Sequence, residues 1–325
     1  MVDSTISNKI KETLNDATNV LVLGHANPRP DGDSLGSVLA MTHYLRSMGK
    51  AATAYAVVPA APSLAYLPGS FELTTDVAKL TMGSYDVIVA LDFSELKNSG
   101  LEEELRVARQ RGVKFINIDH HPGEHDIGGV ELVVPTASST AELLCELLVG
   151  WRATITPDMA TCLLTGILTD TQNFTNGATT FMAMQAGAEL LRSGARLRQI
   201  TAHTWQNKDL PILRLWGKVL LRLQEDKQTG IATTVITLQD LAEENLPAEA
   251  AEGVANFLNS LSTSKAILVL REEVGSVKGS LRTVSEDVDV SIIAKQYGGG
   301  GHKKAAGFLI PGHIVQTADG WKIVE

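Results

Sequence analysis

The sequence predicts an α/β protein: a mostly parallel sheet domain, joined by a helical linker to a smaller α/β domain at the C-terminal end. Three observations carry this. Short apolar runs and helix-periodic stretches alternate over residues 20–193, as repeated strand–helix–strand units do when a parallel sheet is covered on both faces. Several of the apolar runs end abruptly in acids or imidazoles, which puts polar groups at strand carboxyl ends, where open α/β sheets bind ligands. After the turn Gln228-Thr229-Gly230 the pattern becomes strand-rich. At 325 residues the chain also exceeds what one core usually serves.

In chain order, Val20-Leu21-Val22-Leu23 reads as a strand ending in Gly24-His25. The turn Ala26-Asn27-Pro28-Arg29-Pro30 leads to Asp31-Gly32-Asp33 and a helix. Leu35, Val38, Leu39, Met41, Thr42, Tyr44 and Leu45 recur there at helical spacing, and Gly49 supplies a C-terminal cap. Further strands are expected over 51–57, over 85–91 before Asp92, over 113–118 before Asp119-His120-His121, and over 132–134. Helices are expected over 101–111, 140–149, 157–169 and 181–192, with Thr169-Asp170-Thr171 closing the third. Residues 197–225 read as a connecting helix or helix pair. Strands over 231–236, 266–273 and 276–283, a helix over 289–296 and the run Gly298-Gly299-Gly300-Gly301-His302 complete the chain. The implied divisions are 1–195, a linker over 196–229, and 230–325.

Bulk properties narrow the function classes. Aromatic residues are only 5% of the chain, too few for a long platform that stacks single-stranded nucleic acid. The net charge of −9 argues against tracking a long phosphate backbone, which usually takes a basic stripe. Cys145 and Cys162 sit in apolar helical contexts and read as reduced core residues without zinc-site spacing. The first 16 residues are polar and amphipathic, unlike a signal peptide, and no run approaches the ~20 apolar residues that span a bilayer. A cytoplasmic protein with no membrane association and no obligate protein partner is expected; the sequence leaves monomer and homodimer open.

The acids and imidazoles have the makings of a metal site. Carboxylates and neutral imidazoles without thiolates suit manganese, magnesium or cobalt better than a structural zinc. Asp31 and Asp33 leave one strand-to-helix turn, with Gly32 allowing a tight backbone, and Asp92 at a neighbouring strand tip is placed to bridge two ions. Two such ions activate water, orient a phosphate and stabilise a leaving oxygen, which points to phosphoester or phosphoanhydride hydrolysis. Taken singly, each piece has a plainer reading: Asp33 before Ser34 as a helix N-cap, Asp92 as a turn former, His120-His121 as structural. Five carboxylates and three imidazoles at element ends in one half of the chain favour the metal.

These residues resemble the DHH phosphoesterase superfamily, and within it the members with a DHH-associated subfamily 1 domain. The matching stretches are 31–37 (DGDSLGS), Leu91-Asp92, Asp119-His120-His121, 137–142 (ASSTAE), 166–171 (GILTDT), Ser280-Leu281-Arg282 and 298–307 (GGGGHKKAAG), so the resemblance spans nearly the whole chain. Length and domain plan look most like the nanoRNase branch, which also acts on 3′-phosphoadenosine 5′-phosphate (pAp). The resemblance implies two Mn2+ ions, replaceable by Mg2+ or Co2+. It places His25, Asp31 and Asp92 on the first, and Asp33, Asp92, His120 and Asp170 on the second. Asp119 then acts from outside the ligand shell, His121 faces the scissile phosphate, and a bridging hydroxide is the nucleophile. The family pattern has three residues between the His and the Asp; here five separate His25 from Asp31, which leaves open whether His25 keeps that place or Asn27 or water takes it.

Alone, the four glycines before His302 read as a hairpin tip and make little sense as packing. Followed by His302, Lys303 and Lys304, they read as a phosphate- or nucleotide-binding loop. The resemblance implies that Arg282 and His302, with Gly299, Gly300 and Gly301, hold the substrate end distant from the metals, across a cleft between the domains. The expected activity is hydrolysis of short RNA oligonucleotides to nucleoside monophosphates and of pAp to AMP. Hydrolysis of cyclic dinucleotides or of linear pApA, and a non-catalytic nucleotide sensor, are the alternatives.

Overall fold

The runs at 20–23 and 87–91 offer no polar face, so a strand made from either must be covered on both sides. The computed structural model, which describes residues 2–26, 29–123, 125–204, 209–251, 253–258, 264–317 and 320–324, does this in the first of two compact units, Met1–Gln206. Strands β1 (Asn19–Gly24), β2 (Ala51–Tyr55), β3 (Val87–Leu91), β4 (Lys114–Asp119) and β5 (Val130–Val133) form one parallel sheet in the order β2-β1-β3-β4-β5. Alternate residues divide between two cores. Val20, Val22, Val87, Val89, Ile116 and Ile118 face one, while Leu21, Leu23, Ile88, Ala90 and Phe115 face the other.

Six helices contribute to the first core: α1 (Ser4–Asp16), α2 (Gly32–Ser47), α4 (Thr140–Gly150), α5 (Pro157–Asp170), α6 (Phe181–Arg192) and α7 (Leu197–Thr204). Helix α3 (Glu102–Gln110) closes the second through Leu105 and Ala108. Helices α2 and α5 meet at backbone distance, because a Cβ on Gly36 would lie 2.4 Å from the Cys162 carbonyl oxygen. Cys145 and Cys162 are both buried as thiols. From β1 the chain goes to β2 on one side and later to β3 on the other. The crevice between the carboxyl ends of β1 and β3 is therefore the topological switch point, the usual ligand position in such sheets.

The second unit, Asn207–Glu325, starts with α8 (Leu210–Leu221) and continues through β6 (Gln224–Asp226), β7 (Ile231–Ile236), α9 (Leu238–Glu243), α10 (Val254–Leu258), β8 (Ala266–Glu273), β9 (Ser276–Arg282), α11 (Val290–Gln296), β10 (Gly300–His302), β11 (Ala305–Pro311), β12 (His313–Thr317) and β13 (Gly320–Val324). Its sheet runs β10-β11-β9-β8-β7-β6 and is antiparallel except between β7 and β8, while β12 and β13 pair separately. No helix among the described residues is long and apolar enough to cross a membrane.

Two expectations need correction. The stretch 197–225 is not helical to its end: after α7 and α8 it turns into the edge strand β6, because the Asp226 carbonyl accepts the Gly230 N–H at 2.7 Å and reverses the chain onto β7. Residues 205–208, in the middle of that stretch, lie outside the described residues. Two of the four glycines, Gly299 and Gly301, do make sense as packing. A Cβ on Gly299 would stand 2.1 Å from the Gly307 carbonyl oxygen, and one on Gly301, at φ 135°, would stand 2.6 Å from that of Ala305. Gly298, at φ 75°, ends α11 as a left-handed cap.

Candidate metal centre

Three strand ends and three helix ends of the first unit converge on the switch point. β1 delivers His25 through Gly24, where a Cβ would fall 2.1 Å from Ser34 Oγ. The His25 N–H donates to that oxygen at 3.0 Å, so the first turn of α2 fixes where the imidazole starts. His25 Nε2 then lies 3.6 Å from Asp31 Oδ1 and 3.7 Å from Asp92 Oδ2, despite the longer turn. Asn27, the alternative for that place, and Pro28 lie outside the described residues.

The N-cap of α2 is Asp31 and not Asp33: Asp31 Oδ1 accepts the N–H groups of Asp33 and Ser34, both at 3.0 Å. Asp33 is instead fully buried, and its two oxygens accept the N–H groups of Thr140 (2.7 Å) and Ala141 (2.9 Å) at the start of α4. Gly166 of α5 makes room for this, since a Cβ there would lie 2.6 Å from Asp33 Oδ1.

Asp92 follows β3 with φ 66°, in the left-handed region that Asp and Asn tolerate better than other non-glycine residues. It is 2% exposed. Its Oδ1 accepts the Thr140 hydroxyl at 3.2 Å and faces His120 Nε2 at 3.5 Å and His121 Nδ1 at 3.7 Å. Asp119, at the end of β4, accepts the N–H groups of His120 (2.8 Å) and His121 (3.1 Å) and binds His121 Nδ1 at 2.8 Å, all through Oδ1. His120 Nε2 points to Asp170 Oδ2 at 3.3 Å and to Asp33 Oδ2 at 3.9 Å.

Among the described residues, three groups able to hold a cation result, with the donor atoms in each within 4.8 Å of one another: His25, Asp31, Asp92; Asp33, His120, Asp170; and Asp92, His120, His121. Asp92 and His120 each belong to two. Burial, then repulsion from Asp31, pushes the Asp33 carboxyl up to about 6, despite its two N–H donors. Burial and the same neighbours push Asp92 and Asp170 well above the usual aspartate range. Asp170 also closes α5, where the helix dipole disfavours an anion. Asp31 goes the other way: its surroundings alone would raise it, but the His25 imidazole and the Ser34 N–H outweigh them and hold it at about 2. Crowded, partly dehydrated carboxylates facing imidazoles fit hard or borderline divalent cations.

His121 is tuned differently. Burial would lower its pKa, but the Asp119 carboxylate outweighs burial and raises it, while Asp119 itself is held low by the same pairing against the pull of its own burial. Sequence reasoning missed the layer behind this pair. Half-buried His125 sets Nδ1 3.3 Å from Asn117 Nδ2 and 3.7 Å from Asp119 Oδ2, and Nε2 3.3 Å from the His121 carbonyl oxygen. Asn117, a polar residue inside an apolar strand, was the available signal. Thr140 was also missed as a partner of Asp33 and Asp92, although its stretch stood among the matching motifs.

In the second unit, Arg282 pairs with Ala305, and Ala305 with His302, so Arg282 and His302 occupy one row of the sheet two strands apart. Burial lowers the Arg282 pKa, and its guanidinium donates to the Leu281 carbonyl at 2.9 Å. Lys304 is tied to the Ser285 carbonyl and to Glu286 at 3.0 Å.

Comparison with known proteins finds one family domain within each unit. Residues 19–167 match the DHH family, N-terminal domain, and residues 228–319 match the DHHA1 domain. The chain is 33% identical to the bifunctional oligoribonuclease and PAP phosphatase NrnA of Thermus thermophilus, over 87% of this chain and 82% of that one. It is 24% identical to the protein of the same name from Bacillus subtilis, over 89% of each. A solved exopolyphosphatase-related protein from Bacteroides fragilis superposes with a TM-score of 0.86 at 27% identity, covering 95% of this chain and 92% of that one. Identity at this level along most of both chains, with both domain matches in order, means that the chain belongs to the DHH family of phosphoesterases and carries a DHHA1 domain.

Proposed function

We propose that the chain is a cation-dependent phosphoesterase that hydrolyses short oligoribonucleotides to nucleoside monophosphates and pAp to AMP. The observation that carries this is the trio of carboxylate–imidazole groups sharing Asp92 and His120 at the switch point. His25, Asp31 and Asp92 would hold one ion, and Asp33, Asp92, His120 and Asp170 the other. Mn2+ is the ion expected to serve best, with Mg2+ or Co2+ as substitutes. A pair of such cations acidifies water and neutralises charge on phosphoryl oxygens.

The chain's own residues supply orientation and proton transfer. Asp119 fixes the tautomer of His121 by holding Nδ1, which leaves Nε2 as the atom that meets the phosphate. The Asp119 carboxylate favours the protonated form of that imidazole, which suits it to hand a proton to the oxygen that leaves when the P–O bond breaks. Arg282 and His302 are assigned to the far end of the substrate, with Gly299, Gly300 and Gly301 letting backbone N–H groups approach a phosphate. The negative net charge suits short substrates. Two relatives named as oligoribonucleases and PAP phosphatases support the same reading.

Purified protein with Mn2+ should release mononucleotide from a labelled diribonucleotide and AMP from pAp, with a cyclic dinucleotide turned over more slowly. Turnover of neither linear substrate would end the proposal, and faster turnover of the cyclic one would reassign the substrate.

A further inference from the structure

Thr140 touches the site from α4, an element that supplies none of the proposed cation ligands, yet it holds carboxylates from two others. Its backbone N–H donates to Asp33 Oδ2 of α2 at 2.7 Å, and its hydroxyl donates to Asp92 Oδ1 beyond β3 at 3.2 Å. Asp33 belongs to one proposed cation site and Asp92 is shared between both, so one fully buried residue holds ligands of each. The rest of the α4 N-terminus is committed too: Ala141 N–H goes to Asp33 Oδ1, and Glu142 N–H goes to the Ser139 hydroxyl. The first N–H groups of a helix have no partner within the helix, and here two of them are spent on a site carboxylate and not on solvent.

We propose that Thr140 is a positioning residue that sets the spacing between the two cation groups by clamping Asp33 and Asp92 together. This rests on the two-cation reading above. The clamp is lopsided. The hydroxyl binds Oδ1, the Asp92 oxygen that faces His120 and His121, whereas Oδ2 faces His25. Loss of the hydroxyl therefore frees Asp92 on the His120 side and leaves the Asp33 clamp, made by backbone, in place. The ion held beside His120 should suffer more than the ion held beside His25.

The test is calorimetric titration of metal-free protein with MnCl2, with Thr140→Val removing the hydroxyl at nearly constant shape and Thr140→Ser retaining it. In Thr140→Val one affinity should weaken about 10–100-fold, as when partners behind a metal ligand are removed, while the other stays within a few-fold. The weakened site should be the one that His120→Ala also weakens. Thr140→Ser should return both affinities to near those of the unchanged protein. Should Thr140→Val fail to fold, Thr140→Ala, compatible with the first turn of a helix, makes the same comparison. Urea unfolding of the metal-free variants is run alongside, because a space-filling role moves that midpoint without separating the two affinities. A Thr140→Val titration matching that of the unchanged protein overturns the clamp and leaves the two-cation reading standing, and equal weakening at both sites that Ser fails to rescue overturns it as well. If the unchanged protein takes up no Mn2+, the two-cation reading falls and the clamp falls with it.

Discussion

Replacing Asp92 by Asn should stabilise the metal-free protein at alkaline pH and abolish its hydrolytic activity. Donor atoms of Asp31 and Asp92 lie within 4.8 Å of each other. Two full charges at that distance repel by about 3 kcal/mol at an effective dielectric near 20. Asp33 and Asp170 push in the same direction. Asn removes the charge but keeps an oxygen for the Thr140 hydroxyl, and it is the residue besides Asp best suited to φ 66°. Lost attraction to the neighbouring imidazoles offsets part of the gain. A net of about 1–3 kcal/mol remains, or roughly 2–12 °C in Tm for a domain of this size. The sign with pH follows from the direction of the shift. A carboxyl whose pKa is raised on folding holds its proton more tightly when folded, so its stabilisation is complete below 3.8 and is lost as pH rises through the folded value. The advantage of the variant should therefore be present at pH 8 in EDTA and vanish near pH 4. Saturating Mn2+ should reverse the order, because ligand binding stabilises the unchanged protein by mass action and the variant lacks the proposed shared ligand. Calorimetric melts at the two pH values, with EDTA and with Mn2+, decide the matter. A variant no more stable than the parent at pH 8 in EDTA, or equally favoured at pH 4, would refute the charge-crowding argument.

Two further outcomes are expected. His302→Ala should weaken the KM for a diribonucleotide by about tenfold or more, consistent with loss of a charge-assisted contact, while bis-p-nitrophenyl phosphate hydrolysis stays within a few-fold; equal loss on both substrates would remove His302 from the substrate-binding role. Gly36→Ala places a Cβ 2.4 Å from the Cys162 carbonyl oxygen, and the overpacking should destabilise the protein by about 1–3 kcal/mol, seen as a lower urea midpoint with or without Mn2+.

Much of this molecule is visible in its sequence because the strands leave few choices. Beyond Asn19 at its start, β1 carries no polar side chain, and β3 carries none, so burial on both faces, and with it helical cover and a parallel sheet, follows directly. The acids and imidazoles at their ends are legible for the same reason: a charge that follows such a run lands at the sheet's edge. What stays hidden is the set of contacts between elements far apart in the chain. Nothing local to Thr140 says that its N–H and hydroxyl meet Asp33 and Asp92, which come from other elements. Nor does the glycine run reveal that Gly299 and Gly301 are fixed by carbonyl oxygens of the adjacent strand, because periodicity describes one element at a time.

The sequence is most informative where its residues break the rules of the elements that hold them. Asp92 sits in a left-handed conformation at the end of a buried strand. Asp170 ends a helix at the pole that repels it, and Asp33 buries a carboxylate beside other carboxylates. Any one of these could be a local accident absorbed by the fold. All three face the same imidazole, His120, within 3.9 Å, and a sequence selected for stability alone would not gather such liabilities around one side chain. The crowded carboxylates and the anion at the helix end are unfavourable in the empty fold, and a divalent cation held there would relieve their repulsion together. That is a stronger argument for the metal centre than any single acid or histidine, since it depends on coincidence in space and not on residue type.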